Sequence, residues 1–247
     1  MFNHRFDQDV ENKVVLHWFL LSLNGGFINA GGFLATGRFV SHVTGFATLF
    51  GVDLAKSQVE AAIGILSVPA FFLLGAFTAG LLIDRPIHKR QKPHFDWVMS
   101  LSALALVLAA TGGEFAKFGV FGDTIGLEKS YLLLILLCLA CGLQNAAITS
   151  SSGKSVRTTH MTGLTTDLGL GLAKLASFNF KDKTRQKEIR ANVLRGGSIF
   201  SFVVGSALGS WIFLSQGFRG FLIPAAIAAY AAWHGRKAKI HWIHRDL

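Results

Sequence analysis

Charge is what this sequence of 247 residues has least of. Asp, Glu, Lys and Arg make up 15% of it, while apolar residues make up 51%. Soluble domains carry about 25% charged residues, so this composition points away from them and towards a membrane protein. Acids are the scarcer sign, 14 against 24 bases, which leaves a net charge of +10. Such basicity could suit nucleic acid, but the bases lie beside apolar runs, where membrane topology accounts for them. No nucleic-acid partner is expected. There are two cysteines, Cys138 and Cys141, too few for a four-ligand zinc site, and they read as apolar residues on a helix face. No metal is expected. Catalytic signatures are missing as well. Gly153-Lys154-Ser155 resembles the end of a phosphate-binding loop, but Ile148 stands where that loop needs its first glycine. Neither His-Glu-x-x-His nor Gly-x-Ser-x-Gly occurs. The expectation is a protein that is not an enzyme and carries no cofactor.

What is present is a set of long uncharged runs. Segments 14–37, 61–83, 97–113, 131–153, 196–218 and 220–235 contain no Asp, Glu, Lys or Arg. About 20 apolar residues cross a bilayer core, so these runs predict six transmembrane helices in one membrane domain over 1–247. The first run is too long for the apolar part of a cleaved leader and reads as an anchor. Pro69 and Pro224 predict kinks, and Arg85-Pro86 to Lys92-Pro93 an irregular connection. Putting 1–13, 84–96, 153–195 and 234–247 in the cytoplasm places 19 of the 24 Lys and Arg there. The positive-inside rule then sets both termini in the cytoplasm, with a basic loop at 178–192 and a basic tail at 236–247.

One stretch occurs twice. Gly26-Phe27-Ile28-Asn29-Ala30, Gly37-Arg38 and His42-Val43-Thr44-Gly45 return as Gly142-Leu143-Gln144-Asn145-Ala146, Gly153-Lys154 and His160-Met161-Thr162-Gly163. Laid together, 42–56 and 160–174 share 8 of 15 residues: His, Thr, Gly, Thr, Gly, Leu, Ala and Lys. Under the charge assignment one copy faces outward and the other inward. Three spans lie between equivalent points, so the pseudo-repeats, about 14–113 and 131–235, are expected to be inverted.

Each copy holds candidate functional residues. Thr44 and Thr162 stand before runs of 12 residues, which predict short helices about 18 Å long, half-membrane or interfacial, with the threonines as N-caps. Such a helix head suits an anion or a carbonyl. Asn29 and Asn145 lie inside apolar runs and must face protein or a cavity, as solute ligands or as interhelix bonds. Gln144 has Ile28 in the matching place. His42 and His160 are a matched pair, able to shuttle protons or to cap. Arg38 and Lys154 could draw anions to a mouth. Gly26, Ala30, Gly142, Ala146, Gly75, Gly205 and Gly209 form small-residue pairs four apart and predict helix seams, with the first and fourth spans meeting through Gly26, Ala30, Gly142 and Ala146.

At Gly26–Ala30 with Val43-Thr44-Gly45, and at 157–169, the sequence resembles the YoaK-like family of bacterial multi-spanning inner-membrane proteins, built around a domain of unknown function. The resemblance covers about 14–235 and implies an inner-membrane location but no substrate. The family pattern commonly carries Asp where Asn29 stands, and Asn where Phe46 and Leu164 follow Thr-Gly. Two expectations follow. One is a small secondary transporter or permease for a small solute, since inverted repeats with short helices recur in that class. The other is a non-transporting assembly or sensory subunit in the bilayer. A polar cavity reaching both Asn29 and Asn145 would favour the first, and a dry core the second.

Overall fold

The structure, a computed structural model, describes residues 11–123, 127–153, 156–177 and 182–243. Apart from a short 3₁₀ turn, the regular structure of these residues is α-helical: α1 Asn12–Thr36, α2 Val43–Ala55, α3 Val59–Leu82, α4 Asp84–His88, α5 Phe95–Glu114, α6 Leu127–Ser151, α7 Met161–Ser177, α8 Asp182–Gln216 and α9 Leu222–Ile243. Five helical stretches among them are long and apolar enough to cross a membrane: Asn12–Thr36, Val59–His88, Phe95–Glu114, Tyr131–Ser151 and Thr184–Arg236. By length and composition the chain is a multi-pass membrane protein. Large apolar side chains such as Trp211 and Leu214, each 74% exposed, stand where lipid solvates them as well as protein would.

The last stretch has 53 residues, which as one straight helix would be about 80 Å long, more than twice the bilayer core. It does not run straight. A 3₁₀ turn at Gly217–Phe221 separates α8 from α9, and Gly217 takes φ +55° there. α8 runs parallel to α1, with Gly197 against Phe19, Gly205 against Leu23 and Gly209 against Phe27. α9 runs antiparallel to α1, with His234 beside His17 and Pro224 beside Asn24. The chain therefore reverses at the turn. Pro224 sits in the first turn of α9, where a missing N–H breaks no helical bond, so it does not produce the kink expected of it. Pro69 is inside α3, and its ring removes one bond of that helix's ladder.

The tightest seams join α1 to α8 and α3 to α6. A Cβ on Gly26 would strike the Phe202 carbonyl of α8, and one on Gly205 the Leu23 carbonyl of α1. In the other seam, a Cβ on Gly142 would strike the Phe72 carbonyl of α3, and one on Gly75 would come within 2.5 Å of the Leu139 carbonyl. These glycines bring backbone against backbone, but not between the first and fourth spans as expected. α1 and α6 meet on another face, through Asn24 and Gln144. Ala30 and Ala146 are half-buried. The spacing of small residues marks a seam without naming the partner, because any helix can enter the groove they leave.

The basic stretch expected as a loop is helical from Asp182 onward, as the first turns of α8, and α9 carries the tail region as helix to Ile243. Lys154, residues 178–181 and residues 244–247 lie outside the described residues.

Candidate functional site

Both copies of the repeat are built alike, beginning where the long helix stops. α1 ends at Gly37 with φ +68° and α6 at Gly153 with φ +58°, a left-handed stop that glycine adopts without a Cβ clash. One residue earlier a hydroxyl ties the departing chain. The Arg38 N–H donates to Thr36 Oγ1 at 3.2 Å, and the Val156 N–H to Ser152 Oγ at 3.0 Å.

From there each chain turns back into the protein. Val40 is 1% exposed and Thr158 fully buried, yet both are in non-helical backbone. Each loop enters against the first long helix of the opposite copy. The Cys138 thiol of α6 donates to the Val40 carbonyl at 3.0 Å. The Thr158 carbonyl lies where a Cβ on Gly25 of α1 would come within 2.7 Å of it. Irregular backbone at such depth requires protein partners for its polar groups.

Asn29 and Asn145 supply part of that need. Asn29 Oδ1 accepts from the Ser41 hydroxyl at 3.1 Å. Asn145 Oδ1 accepts from the Thr158 N–H at 3.0 Å, the Thr159 N–H at 3.3 Å and the Thr158 hydroxyl at 3.4 Å. Each amide holds the loop of its own copy. Antiparallel packing with Asn24 level with Gln144 leaves Asn29 and Asn145 about 9 Å apart along the bundle, from 1.5 Å of rise per residue.

Past the loop, His42 occupies the N-cap of α2, and α7 begins directly after His160. Thr44 and Thr162 are thus second residues of their helices rather than the expected caps, and both side chains are exposed. The histidine takes the cap position because its ring folds over the first turn. A Cβ on Gly45 would come within 2.8 Å of His42 Nδ1, and one on Gly163 would run into the His160 ring. That accounts for the repeated His-x-Thr-Gly: the glycine vacates the space that the imidazole fills.

Around the head of α2 lies an open hollow of about 170 Å³ lined by Arg38, Phe39, His42, Phe46 and Leu49. Burial lowers the Arg38 guanidinium from its ordinary pKa, and the Asp53 carboxylate of α2 opposes that shift. At α7, Arg157 Nη1 lies 2.8 Å from His160 Nδ1. A guanidinium only donates, so Nδ1 accepts and the imidazole proton resides on Nε2. Burial first, and Arg157 second, hold His160 below its ordinary pKa, while Asp167 pulls upward. Neither this hollow nor a smaller cavity at the other end of α1 is lined by Asn29 or Asn145.

Sequence reasoning overlooked the residue at the centre. Asn24 is fully buried; its Nδ2 donates to Gln144 Oε1 at 2.8 Å and to the Pro224 carbonyl at 3.3 Å. Gln144 Nε2 in turn donates to the Leu21 carbonyl at 2.9 Å. The place matching Asn24 in the other copy is Ala140, so a search for repeated polar residues passes over it. A buried polar residue in an apolar run was the usable signal.

A family model described as a protein of unknown function (DUF1275) matches residues 17–234. The chain belongs to that family, consistent with the resemblance carried by the repeated motifs. No curated protein and no solved structure matches it.

Proposed function

We propose that this member of the family is a small secondary transporter or permease, with six spans arranged as two inverted halves of three and both termini in the cytoplasm. α8 and α9 are its fifth and sixth spans, reversed at the 3₁₀ turn. The observation that carries the reading is the pair of inserted loops: buried non-helical backbone enters the bundle twice, each time against the first span of the opposite half. Membrane proteins tolerate such backbone where it is packed in protein or lines a pathway, and inverted-repeat transporters place their solute where the copies meet. Helix heads with Arg38 and His42 at one and Arg157 and His160 at the other suit an anionic or carbonyl-bearing solute. The role requires no enzymatic chemistry.

A second reading has its own support. The amides of Asn29 and Asn145 are taken up by their loops and line neither described cavity, as they would be in a non-transporting assembly or sensory subunit. A screen of metabolites for thermal stabilisation of the purified protein, followed by uptake into proteoliposomes, separates the two. A stabilising solute that is also taken up supports transport; stabilisation without uptake supports the sensory subunit. Cysteine labelling from either side should place 114–130 outside and 182–192 inside. Labelling of both from one face would sink the inverted arrangement.

A further inference from the structure

We propose that His17 and His234 form a proton-binding site at one end of the bundle, joined through a water-holding cavity to the buried Asn24–Gln144 pair. The proposal does not depend on transport.

The imidazoles of His17 on α1 and His234 on α9 are stacked, with ring centroids 5.1 Å apart and planes at 27°. Tyr230 lies within 6.2 Å of both rings. His234 Nδ1 is buried without a hydrogen-bond partner. A buried polar atom left so is rare in folded proteins and points to a ligand too small to be part of the chain, a water or a proton relayed by one.

Space for that water lies directly below the pair. A cavity of about 30 Å³ is lined by His17, Leu21, Ala147, Ile148, Ser151 and Ala231, among others. A water needs about 10–15 Å³ of such space and two to four polar partners. The His17 ring and the Ser151 hydroxyl offer them here.

The cavity lies along a continuous line of facing positions. His17, Leu21 and Asn24 follow at i, i+4 and i+7 on α1, one face of a helix. Gln144, Ile148 and Ser151 do the same on α6. Pro224, Ala228, Ala231 and Gly235 keep the facing surface of α9 thin. At its inner end, about 10 Å from the histidines by helix rise, Leu21 accepts from Gln144, Gln144 accepts from Asn24, and Asn24 Oδ1 is again buried without a partner. Unpartnered buried polar atoms thus mark both ends of one line, with a water-sized space between them.

The charges around the pair are few. α9 brings Tyr230 and Arg236, and α5 brings the buried Asp96, whose carboxylate is 3.9 Å from Arg236. α6 brings Ser151, which does not ionise. α8 carries the Glu188–Arg195 pair, closed on itself at 3.1 Å. Two imidazoles stacked at this distance cannot both be charged without strong repulsion, so the pair takes up one proton readily and resists a second by about two pH units.

The test uses the full chain in lipid nanodiscs with ¹⁵N-labelled histidine, for wild type, His17→Gln and His234→Gln. In wild type the two rings should titrate together in two steps; in either variant the remaining ring should titrate in one step, at a shifted midpoint. Independent single steps in wild type, unchanged when the partner is replaced, overturn the site. Hydroxyl-radical footprinting of wild type tests the water. Met99 lines the cavity and is 3% exposed, while Cys141 is equally buried away from it. Corrected for intrinsic reactivity, Met99 should be oxidised several-fold faster, and Ala231→Val, which fills the cavity, should abolish the difference. Equal protection of Met99 and Cys141 in wild type overturns the hydrated line.

Discussion

The short helices α2 and α7 begin with the same four-residue device and are anchored in different ways. At their heads the parts coincide: a left-handed glycine ends the preceding span, a hydroxyl ties the loop, an asparagine holds it, and a histidine caps the helix over a glycine. Further along they part company. Gly171 of α7 seats against Glu188, Asn192 and Arg195 of α8, where Arg195 Nη1 binds Asn192 Oδ1 at 2.8 Å and Glu188 Oε1 at 3.1 Å. The matching residue of α2 is Asp53, and α2 leans on α3 with Phe46 as its buried residue. The loops differ too. Asn29 makes one bond to a side chain, Asn145 three bonds, two of them to backbone. Repeated residues preserve how the chain enters the bundle; unrepeated ones decide what holds each helix afterwards.

The seams are where the two halves should answer alike. Gly26→Leu and Gly142→Leu each drive a side chain into a carbonyl of the neighbouring helix, which is more than an overpacked core usually absorbs and should destabilise by about 4 kcal/mol or more. Yield and monodispersity on size exclusion should collapse for both. One tolerated and the other not would break the equivalence of the seams.

Exchanging the divergent residue should divide the copies. Gly171→Asp places a second carboxylate beside Glu188 and Asn192 and should lower stability by about 2–3 kcal/mol. Asp53→Gly, on the exposed side of α2, should lower it by about 1 kcal/mol through helix propensity. Thermal unfolding in detergent measures both, and equal losses would show that the anchoring does not differ.

The asparagines give a graded version of the same contrast. Asn145→Ala leaves the Thr158 and Thr159 N–H groups without their acceptor and should destabilise by about 2 kcal/mol. Asn29→Ala frees one half-buried hydroxyl, worth about 1 kcal/mol. A reversed order would contradict the bonding described here.

The smallest effect concerns pH. The folded pKa of His160 lies below its ordinary 6.5, so just under that pH the unfolded chain binds more protons than the folded one. Stability therefore falls as pH drops from 7.5 through this window, and His160→Gln should flatten the slope. An unchanged slope in the variant would assign the effect to other groups.

Apolar runs, charge bias and the internal repeat established from sequence that this is a helical membrane protein with two matched segments, because hydrocarbon solvates only apolar side chains and demands internally satisfied backbone. The repeat also picked out Asn29, Asn145, His42, His160 and the flanking glycines, since residues required by a shared backbone geometry recur wherever that geometry recurs. Tertiary structure decided the rest. It set Gly26 against Phe202 and Gly142 against Phe72, moved the helix starts from the threonines to the histidines, and gave Gln144 its partner in Asn24. None of these has a local signature: a small residue says that something may come close, and a buried amide says that something must bond it. Which helix arrives is settled only when all of them compete for the same faces.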